Sequence, residues 1–197
     1  SGLITTICCD KKGTPSYAIE GSVFVGGAVI QWLRDDLKII NNATETEKIA
    51  NSVKDNNNVY IVPAFGGLGA PYWNMDARGI IVGLTRGTKK DHLIRAALES
   101  IAFQVYDILN INYNELGVAK KILHVDGGAV SNNFLMQFQA DILNITIAKP
   151  INIESTALGA GMLAGIGSGI WNNKNVDFQS LNPIEKVYKP SMKSHKR

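Results

Sequence analysis

The second half of the chain alternates strand and helix on short links, and this constrains the fold more than any other feature. "KILHVDGG" reads as a strand and Asn132 to Leu143 as a helix. "ITIAKP" reads as a second strand and Thr156 to Ile170 as a second helix. Two such units in succession imply an α/β layer, with partly parallel strands and helices covering the sheet.

The first half is less regular. "LITTICCD" and "PSYAIEG" are rich in β-branched and apolar residues, and "DKKGTP" between them is turn chemistry, so a hairpin is expected. A helix is predicted over roughly Val23 to Ile40, with Val25, Val29, Trp32, Leu33 and Leu37 on one face. "NNATETEKIANSVKDNNN" is polar and Asn-rich, with a short helix possible in its middle. "VYIVPAF" and "GIIVGL" read as strands. "DHLIRAALESIAFQVYDILNIN" is the strongest helical pattern. Asp91 can cap it, and Leu93, Ala97, Ile101, Val105 and Ile108 make a stripe. No linker divides the chain, and no repeat of fixed period is present.

Composition excludes several classes. A net charge of +3 over 197 residues, with basic residues grouped only at Lys193 to Arg197, gives no footprint for nucleic acid. Cys8 and Cys9 are adjacent, which disfavours a disulfide between them and suggests a reducing, cytoplasmic setting. His92, His124 and His195 lie far apart, without metal-ligand spacing. The uncharged run from Ser155 to Asn173 has the length of a membrane span, and Gly161 and Gly165 form GxxxG. Its many glycines dilute its hydrophobicity, and the expectation is a helix packed closely on a sheet, with no membrane segment. The opening "SGLITTICCD" has no initiator Met and shows no signal peptide, and it reads as a fragment cut into an existing sheet.

Three glycine-rich stretches could carry chemistry. In "VDGGAVSNNF" the glycines lie at the carboxyl end of a strand and before a helix, where backbone amides attract polar ligands. Asn132 can donate to and accept from a purine or ribose edge. The other reading is a tight turn with Ser131 or Asn132 as helix cap, and spacing alone leaves both open. The stretch matches neither GxGxxG nor a Walker loop. In "EGSVFVGGAVIQWL", Gly26 and Gly27 fall inside the predicted helix, where each costs about 1 kcal/mol relative to Ala. Another helix or a flat ligand must come close there, and Gln31 lies one turn beyond Gly27. In "FGGLGAPYW", composition favours a buried turn with an aromatic anchor over a mobile loop. Glu20, Glu99, Asp126 and Glu154 form no acid–base pair, and no nucleophile–base set stands out.

Taken together, "YAIEGSVFVGGAVIQWLRD", "PAFGGLGAPYW", "GIIVGLTRGTKKDHLIRAALE" and "VDGGAVSNNFLMQFQADIL" resemble the C-terminal domain of the FGGY carbohydrate-kinase family, in its glycerol-phosphorylating branch. The third stretch fits the second FGGY signature through Gly79, Gly83, Leu84, His92, Leu93, Ala96 and Glu99. The likeness runs from Leu3 to about Tyr188. It implies an actin-like, ribonuclease-H-like domain over 1–188, a mixed sheet flanked by helices with its first strand upstream, followed by a basic tail at 189–197. It implies ATP or ADP with Mg²⁺ as cofactors, glycerol as substrate and a homo-oligomeric full-length protein. Gly27 and Gln31 would border the adenosine on one side, and Gly128 and Asn132 on the other. The catalytic aspartate, the glycerol-binding residues and the phosphate-binding turns would all lie upstream. No catalytic residue is therefore expected among these 197, and the fragment alone should not phosphorylate glycerol. Gly66 stands where the branch commonly has Thr, and Asn74 where it commonly has Asp, which leaves the contacts of the 65–74 loop open. Another FGGY sugar kinase, acting on xylulose or gluconate, and a non-catalytic actin-like nucleotide-binding module are the alternatives.

Overall fold

A computed structural model describes residues 2–9, 13–115, 122–171 and 177–193. Residues 10–12, part of the expected turn, and 194–197, including His195, lie outside them.

Strands β1 (Ile4–Cys9) and β2 (Pro15–Glu20) form the expected hairpin, with Ile4 opposite Glu20 and Cys9 opposite Pro15. β3 (Tyr60–Val62) and β4 (Ile80–Val82) form a second antiparallel pair. β5 (Ile122–His124) and β6 (Thr146–Pro150) are parallel, and β7 (Ile184–Tyr188) runs antiparallel along the other edge of β6. The α/β expectation therefore holds, but the strands form three separate ladders, β1-β2, β3-β4 and β5-β6-β7.

Helices α1 (Ala28–Asp35), α2 (Glu45–Ser52), α3 (Lys90–Glu115) and α4 (Asn133–Leu143) carry most of the core. α3 is the spine. Beyond the predicted stripe it buries Ile94, Leu98 and Ala102, four residues apart, against a second set of neighbours. A helix covered on two sides needs apolar residues around more of its circumference than a surface helix does. α3 begins at Lys90, so Asp91 is not its cap. It lies in the first turn, where a carboxylate still favours the helix dipole.

The first helix is shorter than predicted. It starts after Gly27, which occupies the N-cap position, and ends before Lys38, whose φ of 53° turns the chain left-handed. Gly26 and Gly27 thus lie outside the helix interior and carry no propensity penalty there. Among the described residues no neighbouring atom lies within 4 Å of where a Cβ would stand at either one, so no described helix packs against that side. Leu37, expected on the buried face, lies past the helix end and is exposed.

Helix α5 (Ser155–Gly167) departs most from expectation. None of its residues is buried, and Gly159, Gly161 and Gly167 have open space where a Cβ would point. Only Gly165 is closely approached, by the Trp171 ring. The close packing on a sheet that its glycines suggested is absent among the described residues, because no sheet face is set against it. No described helix is long and apolar enough to cross a membrane. A four-residue helix, α6 (Phe178–Leu181), precedes β7.

The segment after β7 is pinned to α4. The buried Asp141 carboxylate accepts from the backbone N–H of Ser191 and of Met192 (3.0 Å), and Gln137 donates to the Lys189 carbonyl (2.9 Å). A buried carboxylate requires such donors.

Candidate nucleotide pocket

Gly27, Gln31, Gly128 and Asn132 all line one cavity of about 280 Å³. Two segments roughly a hundred residues apart are brought together by the packing of α1 and α4 on α3. Ile30, Leu98, Ile101 and Leu135 supply apolar walls. At Gly27 and Gly128 the wall is bare backbone, with nothing within 4 Å of a would-be Cβ. A flat heterocycle can approach such a wall more closely than a wall with side chains.

The turn-and-cap reading of "VDGGAVSNN" holds, and the same residues line the cavity. Gly127, with φ 83° and ψ 169°, turns the chain out of the strand into a short 3-10 turn over Gly128–Ser131. Its φ is positive, which glycine adopts without strain. Asn132 then caps α4, and its side-chain oxygen accepts from the Leu135 N–H at 3.0 Å. The capped turn and the cavity wall are the same residues. The Gln31 amide and the Ser131 hydroxyl hydrogen-bond no described residue and remain available at the cavity.

Sequence reasoning missed the third wall. Ala43, Thr44, Thr46 and Glu47 enter from the Asn-rich segment and its short helix α2. Asn132 Nδ2 donates to Thr46 Oγ1 at 3.0 Å. The Glu47 carboxylate accepts from the Asn133 N–H (2.8 Å) and from Asn133 Nδ2 (3.0 Å). Asn133 Oδ1 accepts in turn from Lys186 Nζ (2.6 Å) and Tyr188 Oη (2.8 Å), tying β7 into the same network. The available signal was the Thr-Glu-Thr-Glu run at the start of a helix, but its partners are some 86 residues away in sequence.

α2 is held at its other end by α3. Arg95 donates to the carbonyls of Ala50 (3.2 Å) and Val53 (2.8 Å), and its Nε lies 2.8 Å from Glu99 Oε1. Glu99 is 4% exposed, and Asn56 Nδ2 donates to its second oxygen at 2.9 Å. Burial pushes the Glu99 carboxyl above the usual carboxylate value, against the opposing pull of Arg95 and Asn56. Glu99 thus ties α3 to the segment after α2.

The "FGGLGAPYW" segment does not line this cavity. Its ends are bridged by two backbone hydrogen bonds between Leu68 and Asn74, at 2.8 and 3.0 Å. Tyr72 donates to Asp107 (2.9 Å) and Trp73 to the Gly2 carbonyl (2.6 Å). Gly67, Gly69 and Ala70 are buried, but Tyr72 and Trp73 stay exposed, so the anchor works through hydrogen bonds more than through burial. Asn74 Oδ1 accepts from the N–H groups of Asp76 and Ala77, both at 3.0 Å. A carboxylate could do the same, so Asn in place of Asp leaves this turn intact. Gly66 has open space for a side chain and no positive φ.

A mixed α/β lobe of this kind, with its cavity between a strand-end glycine turn and the helices α1 and α2, has the actin-like ATPase fold. Residues 2–168 match the model of the FGGY family of carbohydrate kinases, C-terminal domain. The chain belongs to that family. It is 54% identical, over all 197 residues, to the glycerol kinase of Clostridium botulinum (strain 657 / Type Ba4), and 54% identical to that of Caldanaerobacter subterraneus subsp. tengcongensis. In each case the chain spans 39% of the relative's length. Among solved structures, Plasmodium falciparum glycerol kinase with ADP superposes with a TM-score of 0.87 at 37% identity, covering 99% of this chain and 39% of that one. The ligand-bound xylulose kinase from Lactobacillus acidophilus gives 0.76 at 28%, covering 96% and 41%.

Proposed function

We propose that the chain is the nucleoside-binding lobe of an ATP-dependent kinase that phosphorylates glycerol to glycerol 3-phosphate. The observation that carries the nucleotide assignment is the convergence of Gly27, Gln31, Gly128 and Asn132 on one cavity. The substrate rests on the relatives. Those at 54% identity are glycerol kinases, whereas a xylulose kinase and a gluconate kinase stand at 28%.

The residues present fit a nucleoside. The apolar walls exclude water from the faces of a base, and the bare backbone at Gly27 and Gly128 permits close approach. The Gln31 amide and Ser131 hydroxyl can hydrogen-bond its polar edge. Phosphoryl transfer is catalysed chiefly by positioning and electrostatics. The contribution of this lobe is to hold one end of ATP so that the other end meets its acceptor. Mg²⁺ is normally held by one or two carboxylates together with substrate phosphates. Among the described residues no group of three or more His, Cys, Asp or Glu could hold a metal ion. A cytoplasmic setting, suggested by the free cysteines Cys8 and Cys9, and a homo-oligomeric full-length protein belong to the same proposal.

Calorimetry of ADP binding by the full-length polypeptide tests the site, with Gln31→Ala weakening it about tenfold. Undiminished affinity in Gln31→Ala and Asn132→Ala would remove the assignment. Competition of glycerol against xylulose and gluconate tests the substrate, with glycerol expected to be the preferred acceptor. No phosphorylation of any polyol would favour a binding module.

A further inference from the structure

We infer that Thr46 is a positioning residue of the nucleotide pocket, acting through Asn132; this rests on the nucleotide reading above. Thr46 is 1% exposed, so its hydroxyl is sealed from solvent and must find its partners within the protein. It donates to the Ala43 carbonyl at 2.6 Å. With its single hydrogen committed there, Thr46 Oγ1 can meet Asn132 only as an acceptor, and it does so at 3.0 Å from Nδ2. At the other end of the amide, the Leu135 N–H can only donate, so the atom it meets must be the Asn132 oxygen. The two constraints agree and leave one orientation of the amide. One hydrogen and one lone pair of Asn132 remain for the cavity, on fixed sides.

Without Thr46 the choice would weaken. The Leu135 N–H alone holds the oxygen, and the amide could swing about that contact. Glu47, the next residue along, fastens the same joint by taking two donors from Asn133. The Asn-rich segment that carries α2, which lined up with no chemistry in the sequence, thereby sets which face of the cap residue a ligand meets.

The test uses the full-length polypeptide and ADP, with Thr46→Val and Thr46→Ser. Valine keeps the volume and removes the hydroxyl, leaving Asn132 Nδ2 without its acceptor. Thr46→Val should bind ADP about tenfold more weakly, and Thr46→Ser should lie within about twofold of wild type. The side-chain amide resonances of Asn132, read without nucleotide, should move in Thr46→Val and not in Thr46→Ser. A merely structural role would lower stability without this split between the two variants. Equal ADP affinity in all three proteins overturns the inference, as does an unmoved Asn132 amide in Thr46→Val. If Thr46→Val does not fold, Glu47→Gln gives the second measurement: about threefold weaker ADP binding supports the joint, and unchanged binding overturns it. Failure of the nucleotide reading looks different, because wild type itself would then bind no ADP.

Discussion

Helices α4 and α5 each follow a strand of the same sheet, and α5 is the more apolar, yet they end in opposite environments. Of α4's eleven residues six are buried, against none of α5's thirteen. α4 lies between α3 on one side and β6 and β7 on another, and α2 closes on its N-terminus. α5 has no comparable partner among the described residues. Apolar composition drives burial only where a complementary face is present to receive it.

The largest test of this contrast is a pair of truncations. Leu135→Ala in α4, where the side chain is 1% exposed, should cost about 2–5 kcal/mol. Leu163→Ala in α5, at 52% exposed, should stay within about 0.5 kcal/mol. Denaturant unfolding of this chain measures both, and equal losses would break the comparison.

The caps offer a second pair. Asn132 accepts from Leu135, whereas Glu154, at the N-cap of α5, makes no side-chain cap bond. Asn132→Ala should lose about 1 kcal/mol of stability, and Glu154→Ala should be close to neutral in the same assay.

A smaller effect has the opposite sign. Gly161→Ala meets open space and removes a glycine from a helix, so it should stabilise the chain by about 0.5–1 kcal/mol. Calorimetric unfolding would show a higher midpoint. A loss of stability would mean that a neighbour comes close to α5 after all.

The last effect is confined to a pH window. α5 has no titratable side chain, while the wall behind the pocket buries Glu99. Because the folded carboxyl is raised, the native state holds that proton more tightly than the unfolded chain does. The stabilisation is fully present below the ordinary glutamate value of about 4.3, and it is lost as pH rises through the higher folded value. Unfolding free energies of wild type and Glu99→Gln against pH should diverge across that window and run parallel above it.

Much of this was legible in the residues. The hairpin, the long helix α3 and the two strand–helix units follow from local periodicity and turn chemistry, and the four cavity residues were implied by the family resemblance of the motifs. The wall from α2 was not legible. Thr46 and Glu47 look like ordinary solvated residues of a polar helix until Asn132 and Asn133 are set against them. The early end of α1 was also missed, because apolar spacing continues to Leu37 and says nothing of the left-handed turn at Lys38.

By itself the sequence determined the hairpin, the long helix α3, the two strand–helix units, the glycine turn after β5 and the family, since each depends on residues close together or on motifs read whole. Only the tertiary structure decided which face of α3 meets which helix, that α2 orients the cap residue, and that α5 meets no covering face among the described residues. Those outcomes depend on contacts between residues tens of positions apart, whose energies come from mutual burial and paired hydrogen bonds, and neither partner carries that information alone.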